Sequence, residues 1–239
     1  YIVIIIIVEY KFIKNYRFER KFYIEKFSKY DVLQIIKQNP YMFSEVYEPR
    51  FVNNIYFDSI NLNSLNQNIN GLSNKRKIRI RWYGRFFNSN IKAKLELKIK
   101  KGHLGQKQIF SLIPFELNSS MNPSMLESIL YSSDLPDMLY EILKLNKPVC
   151  VNRYKRCYFQ SFDKKYRMTL DENILFGRFH WQGIRLEKSL LNNPIILELK
   201  YNQDHDINAQ NVTQFIPFRV SKFSKYVSAM EKFMIYGLL

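Results

Sequence analysis

Cysteine and histidine are scarce in these 239 residues: the chain holds only Cys150 and Cys157, and only His103, His180 and His205. Two cysteines with no metal-ligand spacing cannot build a disulfide framework, so a reducing, cytoplasmic compartment is the expectation. The scattered histidines exclude a His-based zinc site, and with so few of either residue a Cys or His nucleophile is not expected. Seven glycines and eight prolines leave no low-complexity linker. The apolar run at 2–8 is far shorter than the about 20 residues that span a bilayer, and no basic segment precedes it. Residues 1–14 are therefore set apart as an N-terminal extension of unassigned role, and 15–239 as one domain.

What the chain does have is apolar bulk and positive charge. Apolar residues make up 46% and aromatics 16%, the composition of a folded protein with a substantial core. Lys and Arg number 37 against 21 Asp and Glu, a net charge of +16. Such a field favours a polyanion: nucleic acid, an anionic membrane surface, or phosphorylated small molecules and polymers. Total charge does not choose among them; the spacing of the cations must.

That spacing is two. In 16–23 (YRFERKFY) Arg17, Glu19 and Lys21 alternate with Phe18 and Phe22. In 77–83 (KIRIRWY) Lys77, Arg79 and Arg81 oppose Ile78, Ile80 and Trp82, and 95–100 (LELKIK) places Glu96, Lys98 and Lys100 opposite Leu95, Leu97 and Ile99. Further strands are expected at 54–58, 152–159, 166–171 and 195–201, the last with Glu198 and Lys200 on one face. A turn-like Asn/Ser stretch follows 54–58. Helices are expected at 28–38, capped by Ser28 with Asp31 three residues on, at 124–145 with a break near Pro136, and at 222–236. In that last helix Val227, Met230, Phe233 and Met234 form a core-facing stripe. Without regular βαβ alternation, the fold class is α+β: an antiparallel β-barrel tunnel with flanking helices.

One alternating strand needs only a sheet with one wet face. Repetition of a mostly cationic face does not fit that explanation well, because like charges on neighbouring strands repel. A barrel interior that holds phosphate relieves the repulsion.

The segments YRFERKFYI (16–24), NNIYFDS (53–59), KRKIRIRWYG (75–84), LELKIKKG (95–102), YKRCYF (154–159), RMTLDENI (167–174), ILELKY (196–201) and SKFSKYV (221–227) occur in one order. Together they resemble the catalytic domain of the vacuolar transporter chaperone (VTC) polyphosphate polymerases, within the CYTH or triphosphate tunnel metalloenzyme superfamily. The resemblance implies a tunnel that binds a triphosphate and a divalent metal, Mn²⁺ or Mg²⁺, and moves the γ-phosphate of ATP onto inorganic polyphosphate. Matched by motif, Arg79, Arg81, Arg156, Lys222 and Lys225 are the expected catalytic cations. Lys21, Lys98, Tyr154, Arg167, Lys200, Ser224 and Lys107 are the expected phosphate-binding set, and Glu198 the expected metal ligand. No nucleic-acid partner is implied, and the resemblance leaves room for a membrane-associated partner at the cytoplasmic face.

Alternatives stay open at several positions. Lys100, Lys101 and Lys107 also suit solvated edge charges. Glu96 suits a partner for a tunnel arginine as well as a metal ligand, Asp171 an orienting group for Arg167 or a turn cap, and Tyr154 an aromatic wall. Arg153 and Lys155 point away from Arg156 by alternation and are left out. Two departures from the family pattern stand out. Arg17 occupies the first acidic position of the superfamily's opening motif, which shifts the weight from hydrolysis towards transfer to phosphate. Asn66 to Asn68 lie where similar domains often carry a basic residue. The alternatives to a polymerase are a tunnel triphosphatase and a non-catalytic polyphosphate-binding subunit.

Overall fold

The alternating segments become strands of one long antiparallel sheet. The computed structural model describes residues 17–101, 104–187 and 193–235, so the extension at 1–14 lies outside the described residues. The strands are β1 (Arg17–Ile24), β2 (Ser44–Asp58), β3 (Lys75–Tyr83), β4 (Asn88–Ile91), β5 (Lys94–Lys101), β6 (Leu104–Ser111), β7 (Phe115–Leu117), β8 (Lys147–Gln160), β9 (Tyr166–His180), β10 (Gly183–Glu187) and β11 (Ile195–Asn202). The main sheet runs β1-β11-β9-β8-β2-β3-β5-β6, with β10 extending the β9 edge and β4–β7 a separate pair. It curls into a half-barrel, the tunnel architecture expected from the sequence. Register shifts between β2 and β8, and between Arg153 and Lys155 on β8 against β9, sit in the longest strands. Extra residues at such points bend a strand and increase its twist.

Among the described residues six α-helices flank the sheet: α1 (Lys29–Lys37), α2 (Asn63–Ile69), α3 (Pro123–Tyr131), α4 (Asp137–Lys144), α5 (Asp206–Thr213) and α6 (Lys225–Ile235). Ser28 and Asp31 form the expected capping box on α1. The 124–145 segment divides at Pro136 into α3 and α4. The stretch after β2 is not merely a turn. Asp58, fully buried at the end of β2, accepts hydrogen bonds from Ser64 N (2.8 Å) and Leu65 N (3.0 Å) and so starts α2, which its own N-cap residue, Leu62, cannot do.

Alternation divides the sheet into two faces. The outer face packs Ile78, Ile80, Trp82, Leu95 and Leu97 beneath Leu126, Leu130, Leu139 and Leu143 of α3 and α4. It also packs Phe22, Met168, Leu170, Leu197 and Leu199 beneath Val32 and Ile36 of α1 and Ala209 and Val212 of α5. At one end the inner face is packed by helices, where Val52, Tyr56, Tyr154 and Ile196 meet Tyr226, Met230 and Phe233 of α6 and Leu65 of α2. Met234, expected in the stripe, is instead 45% exposed. The C-terminal helix therefore plugs one end of the curl and leaves the charged middle of the inner face to line the rest.

The edge strands β1 and β6 are not paired with each other among the described residues. The chain before α6 covers the β1 edge: Val220 bridges Phe22, and Ser221 N donates to Lys21 O at 2.7 Å. From there it crosses inward to begin α6.

Candidate phosphate-binding site

Each inner-face strand contributes a cation or a carboxylate, and the carboxylates organise the cations into groups. On β5, Glu96 is 5% exposed and accepts from Arg79 Nε (2.7 Å) and Lys107 Nζ (2.5 Å), with Arg81 Nη1 at 3.9 Å. Burial alone would raise the Glu96 pKa, but Arg79, Arg81 and Lys107 hold it down at about 2. Glu96 is thus an arginine partner, and Lys107 belongs to the inner face.

Arg81 also donates through Nε to Asn54 Oδ1 (2.9 Å) and through Nη2 to the Tyr154 hydroxyl (3.4 Å). The Tyr154 ring lies 5.2 Å from the Arg156 guanidinium carbon and 4.6 Å from Lys225 Nζ, a wall against which both cations rest. Asp171, fully buried, takes Arg156 in a two-pronged pair (2.5 and 2.7 Å) and Lys225 at 2.5 Å. It therefore orients Arg156 and Lys225, and Arg167 is not its partner. Burial opposes the charge on Asp171, and Arg156 and Lys225 hold its pKa below the usual carboxylate value.

Glu198 on β11 is 6% exposed, with Lys200 Nζ at 2.8 Å, Lys21 Nζ at 3.4 Å and Arg156 Nη2 at 3.9 Å. Against the effect of burial, Lys200, Lys21, Lys225 and Arg156 keep its carboxyl well below the ordinary range. Glu19 on β1 is shared by Lys98 (3.6 Å), Lys200 (3.7 Å) and Lys21 (3.8 Å), and its pKa falls to about 2 despite burial. Burial would depress Lys21, but Glu198 and Glu19 raise it to about 12. The inner cations outnumber the carboxylates Glu19, Glu96, Asp171 and Glu198 by more than two to one, and the surplus is an anion-binding field.

Most of the residues expected from the sequence meet here, but not all. Arg79, Arg81, Arg156, Lys225, Lys21, Lys98, Lys200, Lys107, Tyr154 and Glu198 join one continuous network. Ser224 is placed at its edge, where its hydroxyl accepts from Lys77 Nζ at 3.1 Å. Arg167 of β9, in register with Lys200 of β11, is exposed at the rim and makes no ion pair among the described residues. Lys222 is not brought to the network. Its neighbour Phe223 packs on Tyr23 and Ser221 bonds to Lys21, whereas Lys222 is exposed in a surface cleft with Glu231 and Lys232. An extended segment that turns its alternate side chains inward directs the intervening one outward.

Over residues 16–234 the sequence matches the model of the VTC domain. The chain belongs to the VTC domain family. No curated protein sequence gives a significant match. Among solved structures, the VTC domain here is similar to the PH1819 protein from Pyrococcus horikoshii OT3, with a TM-score of 0.52 at 15% identity over 91% of this chain and 99% of that one. It is similar to a putative adenylyl cyclase from Hippeastrum, described as having a dominant triphosphatase activity (TM-score 0.51, 14% identity, 90% and 96% covered). A putative adenylate cyclase from Vibrio parahaemolyticus matches with a TM-score of 0.51 at 11% identity over 90% and 98%. At these identities the likeness establishes the tunnel fold.

Two residues of the VTC domain site were not singled out from the sequence. Lys77 lies on the inner face of β3, in register with Lys98, and its ammonium donates to the Ser224 hydroxyl rather than to a carboxylate. Burial, together with Lys21, Lys98, Lys75 and Arg79, pushes its pKa down to about 7. Its place in the KIRIR alternation was the available signal. Thr169, between Tyr158 and Glu198 in register, carries a buried hydroxyl with no hydrogen-bond partner. An orphaned hydroxyl beside the Glu198 carboxylate fits a hard divalent cation, which prefers oxygen ligands. Among the described residues no group of three or more His, Cys, Asp or Glu gathers. Glu198, with Glu19 and Thr169, would therefore hold such an ion together with phosphate oxygens.

Proposed function

We propose that this VTC domain is an ATP-dependent polyphosphate polymerase. A terminal oxygen of the polyphosphate chain attacks the γ-phosphorus of ATP, the bond from that phosphorus to the β–γ bridging oxygen breaks, and ADP leaves with the electron pair. Bound at Glu198, a divalent metal would supply charge neutralisation on the phosphates. The chain's own residues do the rest. Arg79, Arg81 and Arg156 present forked donors to phosphate oxygens, and Lys21, Lys98, Lys107, Lys200 and Lys225 add compact charge. Phosphoryl transfer needs mainly positioning and electrostatic stabilisation, which a field held in place by ion pairs supplies without rearrangement.

The observation that carries transfer over hydrolysis is the state of the carboxylates. Glu19, Glu96, Asp171 and Glu198 are all ion-paired, and all have lowered pKa values. Held by cations in this way, each carboxylate is a weaker base towards an attacking water. A terminal phosphate is already an anion near neutral pH and needs no such base. Hydrolysis of triphosphate or a nucleoside triphosphate is the second reading, supported by the Hippeastrum relative's described triphosphatase activity; a non-catalytic polyphosphate-binding subunit is the third.

The partners are then ATP and inorganic polyphosphate, in a cytoplasmic setting. No helix among the described residues is long and apolar enough to cross a membrane. The deciding experiment incubates purified protein with ATP and Mn²⁺ and resolves products by size. Long polymer supports the polymerase, orthophosphate without polymer the hydrolase, and neither product with retained polyphosphate binding the accessory subunit. Arg81→Ala lowers synthesis on the order of 100-fold, the scale of losing one transition-state donor, and leaves the far-ultraviolet circular dichroism unchanged.

A further inference from the structure

At the end of the curl away from α6, the inner face changes from charge to aromatic rings. Arg50 of β2 lies with its guanidinium carbon 4.5 Å from the Tyr83 ring centre, 4.8 Å from Tyr158 and 5.3 Å from Tyr47. Its Nε donates to the Tyr158 hydroxyl at 3.3 Å, and Tyr47 and Tyr158 meet edge to face. Tyr47 and Tyr83 are 60% and 48% exposed, and Arg50 has no carboxylate partner among the described residues. The cluster thus holds exposed ring faces and a guanidinium plane side by side.

The position of this cluster along the strands is what gives it a ligand. Tyr83, opposite Val52 on β2, reaches Arg50 with its ring, while Tyr158 lies two residues beyond Arg156 on β8, with Tyr47 opposite it. On the same face that step is about 6.6 Å, roughly the room a ribose occupies between a phosphate and a base. In the register of β2 and β8, Arg50 itself lies opposite Arg156. We propose that Arg50, Tyr47, Tyr83 and Tyr158 form a stacking platform for the base of a nucleoside triphosphate whose phosphates lie on Arg81 and Arg156. The platform rests on the phosphate reading of the inner face and adds the feature that separates a nucleotide donor from an inorganic polyphosphate. Stacking on tyrosine and a guanidinium plane tolerates any base, so the platform admits purine and pyrimidine nucleotides with a preference for the larger ring.

Calorimetric titration of wild type, Tyr83→Ala, Tyr47→Ala and Tyr83→Phe with ATP, tripolyphosphate and long-chain polyphosphate tests it. The expected result is a loss of about tenfold in ATP affinity in the two alanine variants, within the range measured for base stacking. Tripolyphosphate and polyphosphate affinities stay unchanged, and Tyr83→Phe retains ATP affinity. Equal losses for ATP and polyphosphate would place the rings on the polymer's path and overturn the platform, as would no loss for ATP. Wild-type protein that binds tripolyphosphate but shows no such ATP-specific loss sinks the platform alone. Binding of none of the three ligands sinks the phosphate reading with it.

Discussion

Lys98 on β5 reaches Glu19 on β1, Nζ to Oε2 3.6 Å, although β5 and β1 lie near opposite ends of the strand order. The ion pair closes across the interior a sheet whose edges do not pair among the described residues. Its side chains are 48% and 31% exposed, so the pair is well solvated. Exposed pairs contribute about 0.2–1 kcal/mol. Lys98→Ala should therefore shift the midpoint of thermal unfolding only slightly while weakening tripolyphosphate binding measured by calorimetry. A large drop in stability with unaltered binding would make Lys98 a clasp rather than a ligand.

Asp171 carries a heavier load. It is fully buried, and Arg156 and Lys225, each 8% exposed, depend on it. Removing one partner of a buried pair leaves charge uncompensated, at a cost of about 3–5 kcal/mol. Asp171→Asn should lower stability by that order in urea unfolding, and tripolyphosphate should restore part of it by pairing with the stranded cations. Unchanged stability in Asp171→Asn would remove Asp171 from its organising role.

Acid should unfold the protein through a defined window. The folded-state pKa values of Glu19 and Glu96 are about 2, against 4.5 for the ordinary group. Depressed values mean that their contribution is present in full above pH 4.5 and is lost as pH falls towards 2. Glu96→Gln should flatten the fall in stability between those limits, followed by circular dichroism at stepped pH. An identical acid profile in wild type and variant would contradict the assignment.

Lys77 gives the same slope for the opposite reason: the fold disfavours its charged form. Its folded-state pKa is about 7 against 10.5 for a free lysine, so the unfolded chain binds more protons between those values. On its account, stability of the free protein rises with pH across that interval. A bound polyanion favours the charged form, so binding near pH 7.5 should take up a proton. Titrations in Tris and HEPES, which differ in ionisation enthalpy, measure the uptake, and Lys77→Arg should abolish it. The same proton count in both proteins would place the uptake elsewhere.

The legible part of the site follows strand alternation. KIRIRWY set Arg79 and Arg81 on the face opposite Ile78 and Trp82, and the ordered motifs located Glu198, Arg156 and Lys225. Motif matching carries no side-chain direction, and the backbone between Ser221 and Phe223 turns Lys222 outward. Asp58 was read as the end of a strand before a turn, because its role as a cap is filled by amides six and seven residues on. Lys77 and Thr169 lie inside the quoted segments KRKIRIRWYG and RMTLDENI, but neither was singled out there as a site residue.

From the sequence alone came a cationic face repeated on successive strands and the family. These are local properties: a period of two and a residue's own charge are written in adjacent positions. Which carboxylate holds which cation was decided only when the sheet curled. Lys225 lies 54 positions from Asp171, and Lys98 79 positions from Glu19. Such pairs depend on strand order, register and curvature. Those are set by the packing of the outer face against its helices and of the inner end against α6, not by any segment read by itself.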